Sequence, residues 1–281
     1  SFPDGSKVVI PRDALNAILS DLCQTTAMAL SRGTFNFNFD PGLTTLFGSG
    51  PYNLPVDFLR TSDTSGAEGV TRAAWYLYPA PAFPAGQVMP LVPIDLGEFD
   101  MYPQLPAQGL PSTIATDMGG PLTQRIRWTG AMTLTAGSTT ATPFVMPGLA
   151  ADLGVAGEGI VPGTTIVSVG ATTIVLSQAA TATLPTASVF CGLMPSVYIY
   201  PAPVGPYPCT IRYQRMMPPL IDVTQYPWFP MDGYLIDKLA AKLMAFAGDA
   251  REAQRDAKAE GELHRYLGLS DDKTNRAQKI Q

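Results

Sequence analysis

The chain holds 281 residues, 46% of them hydrophobic and 15% charged, with 26 Gly, 27 Pro and a formal net charge of −5. Such a composition supports a buried core in one large domain or two, and little charge with much Gly and Pro favours extended segments and turns over a helical bundle. The acidic balance argues against a protein whose task is to grip nucleic acid phosphates. No apolar run approaches the roughly 20 residues of a membrane span, and the start SFPDGSKVVI has neither the basic lead nor the apolar stretch of a signal peptide. Use without passage through the secretory route or a membrane is therefore expected.

Pro11 followed by Asp13 predicts the opening of a helix. Its apolar face, Ala14, Leu15, Ile18, Leu19, Leu22, Ala27 and Leu30, runs to a stop at Gly33. Phe35, Phe37 and Phe39 then alternate with Thr34, Asn36, Asn38 and Asp40, so a strand carries three rings on one face. Such a ladder suits carbohydrate or base stacking, but three Phe on one face more often build core. Turns at Pro41-Gly42 and Ser49-Gly50-Pro51 lead into Tyr52-Asn53-Leu54-Pro55-Val56-Asp57-Phe58-Leu59-Arg60. Residues 61–72 are small and polar and read as a loop. Ala73 to Tyr78 reads as a strand that Pro79, Pro81 and Pro84 break. Asp95, Glu98 and Asp100 fall within one helical turn; paired carboxylates can act as acid and base, but nothing nearby completes a site, and a solvated helical face accounts for them.

Residues 130–192 differ from their surroundings. Their only charged residues are Asp152 and Glu158, and short β-runs, Thr165 to Val169 and Thr173 to Leu176, are divided by Gly170-Ala171. The change in composition predicts an insertion, which a surface loop tolerates because closure entropy grows slowly with length.

Beyond it, Val197 and Ile199 alternate with Tyr198 and Tyr200. After Gly205-Pro206, Ile211 and Tyr213 alternate with Arg212 and Gln214, and the two runs together predict a β-hairpin over 196–214. Leu235, Ile236, Leu239, Ala240, Leu243, Phe246 and Ala247 form a helical stripe, which thins to Ala250, Ala253, Ala257, Leu263 and Leu267. Glu252/Arg255, Lys258/Glu262 and Glu262/Arg265 are spaced to pair along its exposed face. One long helix is expected to run through Gly248, losing about 1 kcal/mol there relative to Ala, and to stop at Gly268. The stripes at 14–30 and 235–247 predict that the two helices pack with the hairpin on one face, burying Leu239 and Leu243. The end, SDDKTNRAQKIQ, has no apolar period and taken alone reads as a disordered tail.

Catalytic patterns are not found. Cys23, Cys191 and Cys209 show no C-x-x-C spacing, so buried thiols in a reducing compartment are expected rather than a zinc or disulfide framework. The single His264 lies in the polar half of the long helix, without a base-orienting context. There is no P-loop, no G-x-G-x-x-G after a strand, no H-E-x-x-H and no G-x-S-x-G. No enzyme, cofactor or metal site is expected.

Three stretches carry a family resemblance. Tyr198-Ile199-Tyr200-Pro201-Ala202-Pro203, a Pro/Gly turn, the strand through Arg212-Tyr213, Met216-Met217-Pro218-Pro219, Trp228-Phe229-Pro230 and an amphipathic helix follow one another. That order is similar to the C-terminal half of head-to-tail adaptor proteins of short-tailed phages. The run from Tyr52 to Arg60 resembles the Y-x-L-P-x-D-[FY]-[LI]-R segment of the same proteins. Residues 91–117 resemble their helical turn ending in E-[FY] before Gly-x-Pro and a strand. Residues 130–192 resemble a small β-domain that recurs in phage tail and other virion proteins. Their flanks, TDMGG and PSVYIYP, keep the adaptor order as though adjacent.

The resemblance and the residues together predict an α+β fold: a helical core of N-terminal helix and long C-terminal helix, packed with an antiparallel β-sheet, plus an inserted all-β domain. The expected divisions are an adaptor core over 1–129 and 193–269, the insertion over 130–192, and an extended C-terminal arm over 270–281. The family implies a structural virion protein at the head-tail junction, assembled in the host cytoplasm. It would form a ring, dodecameric in the family, between the portal protein and a tail tube or nozzle, with tail fibres as further neighbours. Genomic DNA would pass through the ring without being bound tightly. The alternative is a β-rich tail component that binds a receptor or glycan. In the arm, Lys273, Arg276 and Lys279 recur at three-residue steps, while Ala277 and Ile280 offer an apolar contact. With Gln281 these are the candidate portal-binding residues, since the family docks through its C-terminal ends.

Overall fold

The computed structural model describes residues 6–25, 31–45, 48–61, 73–76, 88–101, 108–119, 125–221 and 225–278. The chain divides into a helical unit, 1–26 with 222–281, and a β unit, 27–221.

The helical unit contains α1 (Ser6–Thr25) and two later helices. The sequence stop at Gly33 is corrected: α1 begins before Pro11, which lies inside it, and ends at Thr25. Ala14, Ile18, Leu19, Leu22 and Cys23 are buried on it, the first four on the predicted stripe, whose Ala27 and Leu30 lie outside the described residues.

The β unit opens with β1 (Arg32–Asn38), β2 (Thr44–Thr45), β3 (Gly48–Asn53), β4 (Phe58–Thr61), β5 (Ala73–Tyr76), β6 (Val88–Pro90) and β7 (Val92–Ile94). The short α2 (Leu96–Phe99), β8 (Gln108–Gly109) and β9 (Thr113–Asp117) follow. The uncharged stretch builds β10 (Ile126–Leu134), β11 (Thr140–Pro143), β12 (Gly154–Gly157), β13 (Ile166–Val169), β14 (Ile174–Leu176) and β15 (Leu184–Gly192). The last strands are β16 (Ser196–Tyr200), β17 (Ala202–Pro203) and β18 (Pro208–Arg215). Beyond them, in the helical unit, come α3 (Asp232–Ala247) and α4 (Glu252–Gln278).

One sheet runs β1-β18-β5-β6, with β4 also on β18, and another runs β2-β3-β16-β9-β7. The predicted hairpin of 196–214 does not form. Its two strands exist with the expected faces, but β16 lies between β3 and β9 while β18 lies between β1 and the pair β4, β5. Alternation tells which face a residue occupies, and is silent on which strand lies alongside. The two sheets are joined through side chains: Phe39, Tyr52, Leu54, Ile114, Val197, Ile199, Ile211 and Tyr213 share one apolar cluster. Phe35 and Phe37 pack against it, partly buried, with ring centroids 5.8 Å apart.

Gly33 belongs to β1, opposite Tyr213, and not to a helix end. The Tyr213 ring and the Arg215 side chain cover its backbone so closely that a Cβ there would stand 2.8 Å from both.

The 126–192 region forms its own six-stranded sheet, β12-β15-β10-β11-β14-β13. The first and last strands also meet: Ile166 N donates to Leu153 O (2.9 Å), Val155 N to Thr164 O (2.8 Å), and Gly154 bridges Thr165. This closes the sheet into a small barrel, which hides its edges. The inward residues, among them Met132, Leu134, Ile166, Ile174, Leu176 and Val189, form a cluster confined to this stretch.

The expectation of a helical core packed with a sheet is overturned. Strand residues outnumber helical ones, and most of the largest fully buried side chains, including Arg125, Tyr213, Phe39, Phe58 and Phe190, belong to the β unit. The reason lies in the helices themselves. α3 buries Tyr234, Leu235, Asp237 and Ala241, whereas Leu239 and Leu243 remain half-buried. Such a narrow face gives too little apolar area to organise the chain. The single long helix is corrected as well: the chain breaks after Ala247, where Gly248 takes a left-handed conformation at φ 69°. The helix then resumes and passes through Gly268 to Gln278, so Gly268 does not end it.

Candidate functional site: the helical hairpin and its assembly face

α3 and α4 pack against each other, and α1 packs on α3. The turn between α3 and α4 is built from its own sequence. The Gly248 N–H reaches the carbonyls of Ala245 and Met244, and Asp249 N donates to Met244 O (3.0 Å), the reverse turn that a left-handed glycine permits. Asp249 then opens the next helix, its Oδ1 accepting from Arg251 N (3.0 Å). The Arg251 side chain also donates to this carboxylate (2.7 Å), and these bonds hold Asp249 down at about 2.

Along the hairpin the charges interlock across the two helices. Asp237, buried on α3, takes Lys258 (2.6 Å) and Arg255 from α4; hydrogen bonds from Lys258 and then Arg255 hold its carboxyl below the usual range. One residue on, Lys238 pairs with Asp256 (2.7 Å) and Glu260. Burial works against the Lys238 charge, but its bonds to Asp256 and Glu260 raise it above an ordinary lysine. Burial, with the nearby Glu260 charge, pushes Tyr234 up to about 12. Two of the pairs expected from spacing, Glu252/Arg255 and Lys258/Glu262, are replaced here: Arg255 and Lys258 reach across to α3 instead of along α4. A carboxylate set among the apolar residues of a helix was the available sign.

A cleft of about 540 Å³ lies at the turn, lined by Met244, Arg251, Gln254, Arg255 and Lys258. Its three cations are already matched by Asp249 and Asp237. The lining holds no carboxylate, thiol or imidazole, and its one amine, Lys258, is paired with Asp237.

The face of α3 turned from these pairs is apolar and open. Ile236 is 64% and Phe246 73% exposed, with half-buried Leu239 and Leu243 between them at helical spacing. These four side chains leave an open apolar stripe along α3.

Lys273, Arg276 and Ala277 lie on the last turns of α4, so this segment is helical where an extended arm was expected. Lys279, Ile280 and Gln281 lie outside the described residues, as do residues 62–72 of the loop predicted over 61–72, whose first residue, Thr61, ends β4. Asp95 caps α2 by accepting from Gly97 N (2.8 Å), and Glu98 and Asp100 are exposed. His264 is exposed on α4. All three cysteines are buried, and burial pushes the Cys191 and Cys209 thiols up to about 12, far from reactivity. Among the described residues no group of His, Cys, Asp or Glu is placed to hold a metal ion, and no helix is long and apolar enough to cross a membrane.

A second constellation, which sequence reasoning did not single out, lies in the β unit around Asp57. This carboxylate is 1% exposed and accepts from Tyr213 Oη (3.0 Å) and Arg215 Nε (2.6 Å). Burial and the Asp57 charge raise Tyr213. Arg125, equally buried, donates to the carbonyls of Val56 (3.1 Å) and Phe58 (2.7 Å). Its charge is disfavoured by burial and favoured by Asp57. Phe58 stacks on Tyr213 at 5.4 Å, and Tyr52 Oη lies 2.6 Å from Ser49 Oγ. Asp57, Arg125, Tyr213 and Phe58 are closed to solvent and Arg215 lies at the rim, about a quarter exposed; the groups bind one another and the nearby backbone, which makes the cluster a structural joint.

No protein-family model matches the chain, and no curated protein matches it.

Proposed function

We propose that this chain is a structural virion protein, a ring-forming head-to-tail adaptor that joins the portal vertex to the tail and lines the passage for DNA. One observation carries the reading: the two stretches that most resemble such adaptors pair with each other in space. The strand holding Tyr52 lies antiparallel to β16 of Tyr-Ile-Tyr-Pro, and Asp57 of the Leu-Pro-x-Asp-Phe run takes its hydrogen bond from Tyr213, 156 residues away in sequence. One joint thus involves both halves of the resemblance at once.

In this reading the β unit is the body of each ring subunit. The exposed Ile236–Phe246 stripe of α3 and the end of α4 are the elements that reach neighbours. Lys273, Arg276 and Ala277 present a helix, not a loose arm, to the portal. Repetition around a ring multiplies a weak single contact into a firm one. The passing DNA is not held, since each fixed Lys or Arg contact would add affinity that opposes sliding.

The test mixes the full chain, and a version truncated after Leu269, with assembled portal from the same virus, and follows complex formation by sedimentation. The full chain is expected to bind and the truncated one to lose about tenfold or more in affinity. Undiminished binding of the truncated chain removes the C-terminal docking role. Failure of the full chain to bind portal at all overturns the adaptor reading.

A further inference from the structure

The two packed sheets of the β unit carry opposite charge on their outer faces. In β18, Ile211 and Tyr213 turn into the apolar cluster between the sheets, so Arg212 turns outward. Residues directly opposed on neighbouring strands share a face. Arg32 and Arg60 flank Gln214 on the strands to either side of β18, and Thr34 lies opposite Arg212. The three arginines therefore gather on one outer face, their backbones within about 10 Å of one another by strand spacing. All three are exposed. Among the described residues none of them has an ion pair. Their neighbours on this face are neutral, with Thr210 Oγ1 donating to Asn36 Oδ1 (2.8 Å).

The other sheet has the reverse sign. In β16, Val197 and Ile199 turn into the shared cluster, so Tyr198 and Tyr200 turn outward. Phe99 packs on both rings, with centroids 6.0 and 6.5 Å away, and this seats α2 on the outer face. The turn of α2 carries Asp95, Glu98 and Asp100, all exposed. Asp117, opposite Ser196, lies on the same side of the sheet. From Ala73 to Gln124 the chain holds these carboxylates and no Lys or Arg at all.

We propose that the arginine face of one copy docks on the α2 face of the next copy. Charge complementarity selects that occupant. The chain itself carries the counterpart of each patch, but two sheets stand between them, so the patches cannot neutralise each other within one molecule. Like faces brought together repel, which disfavours a symmetric pairing through either patch. A contact between two different faces of one chain is head-to-tail, the kind that closes into a ring. Nucleic acid would answer the arginines, but the acidic face would repel it. The inference rests on the ring-forming reading and adds, to the helical elements that reach neighbours, a contact between the bodies of adjacent subunits.

The experiment follows self-association of the full chain by sedimentation velocity, alone and with portal present. It compares the native protein with R32E/R212E and with E98K/D100K, each separately and the two mixed in equal amounts. The positions are exposed, and Asp95 is left in place because it caps α2; a circular dichroism melt verifies each fold. The native chain is expected to associate, and each variant alone to associate about tenfold more weakly or worse. The mixture is expected to recover association, since one variant then offers two acidic faces and the other two basic ones. The native protein supplies a second measurement that needs no variant: raising salt from about 0.05 to about 0.5 M should weaken its association. Association that ignores salt, or variants that associate like the native chain, overturn the contact and leave the ring standing. If R32E/R212E self-associates normally but loses retention of duplex DNA in a low-salt gel shift, the arginine face belongs to nucleic acid and the contact is likewise overturned. A native chain that stays monomeric even with portal overturns the ring and the contact together.

Discussion

Among the described residues two carboxylates are buried, Asp57 in the β unit, held by Arg215 and Tyr213, and Asp237 in the helical unit, held by Arg255 and Lys258. Burying a carboxylate is tolerated only when it is paired and hydrogen-bonded. For Asp237 the consequence is a pH dependence with a definite sign. Lys258 and Arg255 hold its carboxyl below the ordinary range in the folded state, so the folded state prefers it deprotonated. The stability it contributes is therefore fully present above the unfolded value of about 3.9 and is lost as pH falls through the lower folded value. Asp237→Asn is expected to lower the melting temperature near neutrality and to flatten the acid limb of the stability curve. Thermal melts across that range check it; an acid limb that superimposes on the native one counts against this pairing. The residue was legible as an oddity, a carboxylate beside Leu235 and Ile236, but its partners were not, because both lie on the helix beyond the turn.

At the scale of the element, the glycines of the last two helices separate sharply. Gly248 sits at φ 69°, a conformation that costs an L-residue roughly 1–2 kcal/mol, whereas Gly261 lies inside α4 with open space where a Cβ would stand. Gly248→Ala is accordingly expected to destabilise the hairpin by about 1 kcal/mol or more, and Gly261→Ala to stabilise it by up to about 1 kcal/mol. Urea unfolding followed by far-ultraviolet circular dichroism distinguishes them; shifts of the same sign would refute the assignment. The sequence held the relevant sign at Gly248-Asp249-Ala250-Arg251-Glu252. A glycine stop is followed at once by an Asp that can cap the next helix and a Glu three residues on. Apolar periodicity runs through that stretch unbroken, which is why periodicity alone joins two helices into one.

For the whole molecule, the question is how far the barrel stands apart. Its core cluster draws only on residues of its own stretch, yet its base is seated on the rest of the β unit: Val56, Ala156 and Phe190 form one buried group with Met194 and Met216 against it. The Gly154 backbone lies so close to Val56 and Met194 that an added Cβ would stand 3.0 Å or less from them. Excising 131–192 and closing the gap with a short Gly/Ser linker is expected to leave a cooperatively folding remainder. Its melting temperature should fall, since uncovering a buried valine such as Val56 costs about 2 kcal/mol. Calorimetry checks this outcome, and a deletion protein recovered only as aggregate would contradict it.

What the amino-acid order determined by itself was local. The alternation at 196–200 and 208–215, the helical stripes at 14–22 and after Asp232, the turn capped by Asp95 and the uncharged stretch of 130–192 all follow from residues near one another, and each appears as an element or a sheet of the expected kind. What only the tertiary structure decided was which elements are neighbours. β16 and β18 carry the pattern of a hairpin, but β16 lies between β3 and β9, and β18 pairs with β1, β4 and β5. Gly33 reads as a helix stop, and is instead the place where Tyr213 and Arg215 lie flat on a strand. Leu239 and Leu243 read as core, and lie on a half-open face because α3 turns Asp237 and Ala241 inward. The physical reason is common to these cases. Backbone propensity and side-chain period act over one or two turns of chain, whereas pairing partners, close approaches and buried charges are set by contacts whose sequence separation no local pattern records.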